Sequence, residues 1–123
     1  AWVRAPAVPG RTSAAFFTLV NQGDAAIRLV DVTTPAAGMT EIHETTTDSQ
    51  GRMKMAPHGP ITVAAGDSVT LAPGGLHVML MKTAAAVKPG GRVTLHLTLG
   101  DGRSFATAAQ VVPPGETLDA DTP

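Results

Sequence analysis

Cysteine is missing from all 123 residues. That excludes disulfides, thiolate nucleophiles, cysteine-based zinc sites and the thiolate copper centre of electron-transfer proteins. It does not identify a redox compartment, since cysteine-free chains occur in every one. Tyrosine is missing too, and the aromatic side chains reduce to Trp2, Phe16, Phe17 and Phe105. The net charge is −1 and no basic cluster exists, so neither nucleic acid nor an anionic membrane surface is an expected partner. No apolar run approaches the ~20 residues of a spanning helix, and no membrane span is expected.

Glycine and proline, by contrast, are abundant at 13 and 10 residues, and they punctuate the chain along most of its length. Short segments between such breaks are the pattern of an all-β sandwich or barrel. Strands are expected over 2–5, 13–21, 25–34, 39–47, 52–56, 61–63, 68–72, 92–100 and 103–112, and through the stretch "GGLHVMLMK" at 74–82. Residues 82–91 read as a longer connection with room for a helical turn. Val93, Leu95, Leu97 and Leu99 alternate with Thr94, His96 and Thr98, so one face of that strand points inward and His96 outward. "GDG" at 100–102 is a hairpin signal. The whole predicts one domain over 1–112, two packed sheets of about eight or nine short strands, and a flexible acidic tail over 113–123.

Methionine is flexible and specifies a core poorly, yet its thioether is a soft ligand. Soft sulfur selects Cu(I), and imidazole accepts copper readily. Met39 with His43, Met53 with Met55, and His77 with Met79 and Met81 all fall at alternating positions in three segments. If those strands end near one rim, their donors converge there. Read alone, a His-x-Met-x-Met strand is more often simply core. The joint spacing is the stronger signal: His43, Glu44, ten residues, Met55, twenty-one residues, then His77-Val78-Met79.

This arrangement resembles the periplasmic copper chaperone family PCuAC, from "AWVRA" through "HETTTDSQGRMKM" and "GPITVAAGDSVTLAPGGLHVMLM" to "VTLHLTL". The resemblance implies a cupredoxin-like Greek-key β-sandwich holding one Cu(I) through His43, Met55, His77 and Met79. Glu44 stands where the motif often carries another Met, outside the four ligand positions. Residues 113–123 hold neither Met nor His, so no second copper site is expected there. The four donors are neutral, which leaves only a single positive charge to desolvate. Imidazoles protonate on acidification, so affinity is expected to fall in acid.

The other candidates read as supporting groups. Met39, Met53 and Met81 are expected to wall the site, and Glu41 to bond an imidazole N–H. His58 and His96 are expected at the surface, and Trp2 in packing at a sandwich edge. The resemblance further implies a metallochaperone rather than an enzyme, and a monomer is expected. Its acceptor would be the dinuclear copper centre of cytochrome c oxidase subunit II, alongside Sco-type copper proteins. A chain starting at Ala1 rather than Met fits removal of a secretory signal and a periplasmic or extracytoplasmic location. Two alternatives stay open. A copper-dependent monooxygenase-type enzyme would need an open coordination position, which a fourth ligand closes. A metal-free interaction sandwich is permitted by fold alone.

Overall fold

A computed structural model describes residues 1–6, 11–84 and 87–114. Among them there is no helix, and so none long and apolar enough to cross a membrane. The eleven strands are β1 (Trp2–Arg4), β2 (Ser13–Phe16), β3 (Thr18–Val20), β4 (Ile27–Thr33), β5 (Ala37–Thr47), β6 (Met53–Pro57), β7 (Ile61–Val63), β8 (Ser68–Thr70), β9 (Leu76–Thr83), β10 (Arg92–Leu99) and β11 (Ser104–Val112).

Eleven strands exceed the expected eight or nine partly because 13–21 divides at Phe17. The carbonyl of Phe17 accepts from the Leu71 N–H at 2.8 Å, so the chain leaves β2 and pairs with β8 instead. The acidic tail from 115 onward lies outside the described residues, as does the middle of the 82–91 connection.

Nine strands run in the order β6-β5-β9-β2-β1-β11-β10-β4-β7, and β3-β8 forms a second, small sheet. Among the described pairings only β1–β11 is parallel. Strands β4 and β5 stand far apart in that order, yet the Thr40 hydroxyl on β5 donates to the Val32 carbonyl on β4. The long sheet therefore coils until its two halves face one another, as right-handed strand twist demands. The core fills the space between, with Val3, Leu29, Leu71, Val78, Leu80 and Leu95 fully buried.

Local alternation is obeyed closely in β10. Val93, Leu95, Leu97 and Leu99 are buried, while Arg92, Thr94 and His96 are exposed. The expected hairpin follows, with Leu99 N–H donating to Arg103 O at 2.8 Å and Gly102 at φ 92°. Only glycine takes that conformation without strain. Asn21, in the sequence "NQGD", is buried, and its amide donates to the carbonyls of Ala25 at 2.9 Å and Val63 at 3.0 Å. It ties the β3–β4 turn to β7.

Candidate metal centre

Strand β9 has two faces of different character. Val78 and Leu80 are fully buried in the core, while His77, Met79 and Met81 point to the opposite, outer face. The antiparallel ladder to β5 sets His43 opposite His77, Glu41 opposite Met79 and Met39 opposite Met81. Residues directly opposite share a face, so these six side chains form two columns on the outer surface. On the other flank of β9, Ala14 of β2 lies opposite Met79.

The expected convergence at a rim is therefore corrected to convergence on a sheet face. His43 lies well inside the eleven-residue β5, and the groups meet through cross-strand register rather than through strand ends. Glu44 lies opposite Leu76 and Ala56, on the alternate face from His43. The departure from the family motif thus falls away from the outer face.

Met55 arrives by a different route. It pairs with Thr45, whose N–H donates to the carbonyl of Gly75 just before β9. In a flat sheet, two strand spacings and four residues would separate it from Met79 by ~16 Å. Instead Phe16, Thr45, Met53, Met55, His77 and Met79 line one cavity of about 260 Å³. The β5–β6 hairpin curls over the outer face, burying Thr45 and leaving His77 only 3% exposed. A turn built on Asp48 holds the hairpin. One carboxylate oxygen accepts the Gln50 and Arg52 N–H groups, each at 2.9 Å, and the other accepts from Arg52 Nε at 3.0 Å. The Arg52 backbone N–H above all keeps the Asp48 carboxyl below its ordinary pKa, against an opposing desolvation effect.

The two imidazoles are fixed in complementary ways. His77 Nδ1–H donates to Gly75 O at 3.1 Å, leaving the Nε2 lone pair free. His43 Nε2–H donates to Glu41 Oε2 at 2.7 Å, leaving the Nδ1 lone pair free. Both free nitrogens are buried and lack any hydrogen-bond partner, and the ring centroids are 6.0 Å apart. Burying a polar atom without a partner is costly, so the pair is poised for a ligand. Among the described residues no three His, Cys, Asp or Glu side chains gather for a metal.

His77 belongs to both relations: it faces His43 across the ladder and shares the cavity with Met55 and Met79. Met53, expected as wall, does line the cavity but is 67% exposed. Met39 and Met81 sit further along the columns, with Met39 half-exposed. His58 extends the β5–β6 ladder by donating its N–H to Ile42 O, and its ring rests 2.7 Å from the Gly59 carbonyl. His96 is exposed, on β10 between Thr33 and Ala106.

Trp2 corrects another expectation. It is fully buried on the inner strand β1, its ring 4.5 Å from that of Phe16 and tilted 33° to it, in a small outer-face cluster with Val112. Phe16 in turn lies 6.4 Å from His77, and the Arg4 guanidinium covers the Trp2 and Phe16 rings. The sequence offers no local signal for Arg4 or Phe16 at the site, because both come from non-local pairing. Thr45 was within reach, since it continues the period-two series from His43.

Fold and site together define an all-β sandwich that displays paired imidazoles and thioethers on an outer sheet face. The chain belongs to the LpqE-like family, described as "Putative lipoprotein LpqE-like", whose profile matches residues 1–111. It is 34% identical over 111 residues to "Putative lipoprotein Lxx21020" of Leifsonia xyli subsp. xyli, covering 90% of this chain and 66% of that protein's length. Among solved structures, the Cu(I) form of DR1885 from Deinococcus radiodurans is 39% identical, with a TM-score of 0.64 over 90% of this chain and 75% of that one. The copper-bound PCuAC domain of PmoF2 is 24% identical, with a TM-score of 0.75 over 92% of this chain and 88% of that one. The latter likeness bears on the fold, which is that of PCuAC domains.

Proposed function

We propose that this protein is an extracytoplasmic copper carrier rather than an enzyme. It binds one Cu(I) through His43 Nδ1, Met55 Sδ, His77 Nε2 and Met79 Sδ, and releases it by ligand exchange. The observation that carries the reading is the pair of buried, unpartnered imidazole nitrogens, one of them on His77, which also lines a cavity with Met55 and Met79. Thioethers favour Cu(I) over harder ions, and all four donors are neutral. The ion keeps its single charge, and a site without thiolates holds copper loosely enough to give it up. The Cu(I) form of DR1885 and the copper-bound PmoF2 domain support copper as the cargo. The lipoprotein names of the family and of the Leifsonia relative support a place outside the cytoplasm. The carrier acts as a monomer, and its resemblance to PCuAC proteins supplies the acceptor. It delivers to the dinuclear copper centre of cytochrome c oxidase subunit II, alongside Sco-type proteins.

Anaerobic Cu(I) titration read by X-ray absorption tests this reading. One ion per chain with two sulfur and two nitrogen neighbours is expected. His77→Ala is expected to lose stoichiometric binding while its circular dichroism stays that of the parent chain. Full affinity in that variant would refute the assignment.

A further inference from the structure

We infer that Met53 is a second copper-contacting thioether on β6, interchangeable with Met55, an inference that rests on the copper reading above. Both side chains line the cavity that also holds His77 and Met79. They are two residues apart on one face of a strand, with Cα atoms ~6.6 Å apart. Rotation about the Cα–Cβ and Cβ–Cγ bonds swings each sulfur, so both sulfurs can reach the same point. Met81 is worse placed: four residues from His77 on β9, it lies ~13 Å further along the strand.

Exposure separates Met53 from a packing residue. A wall methionine is covered by what it packs against, but Met53 is 67% exposed and Met55 61%. Leaving two large apolar side chains in water on one short strand gives no packing benefit. Strand β6 also ends the nine-stranded sheet, so among the described residues no strand borders its outer edge. Exchange between the two sulfurs breaks the Cu–Sδ bond to Met55 as one to Met53 forms. No electron or proton moves, the ion remains Cu(I), and the number of ligands is conserved. The exchange carries copper along β6 toward the β5–β6 turn and the more exposed methionine, where an acceptor's soft ligand can reach it.

The test uses Met55→Leu, Met53→Leu and the double variant. Leucine conserves volume, and both positions are exposed, so folding is not at stake. X-ray absorption of Cu(I)-loaded Met55→Leu is expected to count two sulfurs still, with affinity reduced by less than ~10-fold in chelator competition. The double variant is expected to show one sulfur and a loss of at least ~100-fold, a non-additive result. One sulfur in Met55→Leu, with affinity already as low as in the double variant, would overturn the inference and leave the copper reading intact. Two sulfurs in the double variant would overturn it as well, because another residue would then be supplying the thioether. A parent chain that takes up no Cu(I) would sink both.

Discussion

At the scale of single residues, the site depends on which nitrogen of each ring is left free. Glu41 holds His43 by its Nε2–H at 2.7 Å, and so presents Nδ1 inward. Carboxylates behind ligating histidines set tautomer and orientation, and their loss typically weakens metal binding 10–100-fold. The Glu41 side chain is 46% exposed, which places the effect toward the low end. Glu41→Ala is expected to weaken Cu(I) binding by about 10-fold in chelator competition. Glu41→Gln, whose amide oxygen can still accept the N–H, is expected to recover most of it. Equal losses in both variants would mean the charge, not the hydrogen bond, is what counts. The sequence placed Glu41 on the His43 face by alternation alone. It could not say which ring nitrogen the carboxylate takes.

At the scale of elements, the β5–β6 hairpin is the arm that brings Met53 and Met55 over the outer face, and Asp48 organises its turn. The Asp48 carboxyl sits below its ordinary value because the folded turn, led by the Arg52 N–H, favours the charged form. The contribution is therefore present at neutral pH and is lost as pH falls through that lowered value. In an NMR titration, the Gln50 and Arg52 amides are expected to shift together, with a midpoint below that of an ordinary aspartate. Asp48→Ala is expected to speed hydrogen exchange in β6 at neutral pH while β10 and β11 are unaffected. Uniform acceleration across the molecule would show that the turn is not a local unit. The Asp101 turn at the β10–β11 hairpin repeats this chemistry, with the Arg103 N–H as the main cause of its lowered carboxyl. It carries no donor residue and serves as an internal comparison.

At the scale of the whole molecule, one sheet separates two packed regions. The core lies between the coiled halves, and the donors lie on the outside of one half with Trp2 and Phe16 beside them. Leu95, fully buried on the core side, can therefore be truncated without touching the site. Leu95→Ala is expected to cost about 2–5 kcal/mol of stability in denaturant unfolding. The single tryptophan, Trp2, supplies the fluorescence signal. Below the unfolding transition, Cu(I) stoichiometry and affinity should match the parent chain, because distant effects add independently. A weakened site in the folded variant would show that core and outer face are coupled through the sheet.

The sequence by itself determined the local properties. Alternation put His77, Met79 and Met81 on one side of their strand and Val78 and Leu80 on the other. The donor types, all imidazole and thioether with no thiolate, fixed the softness of any metal the chain could hold. The β10 pattern and its "GDG" hairpin were legible for the same reason: period two and turn chemistry are written in consecutive residues. Only the tertiary structure decided what depends on partners far along the chain. The register that sets His43 against His77 joins residues in different strands. The curl of the β5–β6 hairpin that brings Met55 into one cavity with His77 depends on several strands, and the burial of Trp2 on an inner strand comes from pairing with β2 and β11. None of these is a property of any one segment, so alternation and composition could announce the donors but not where they would meet.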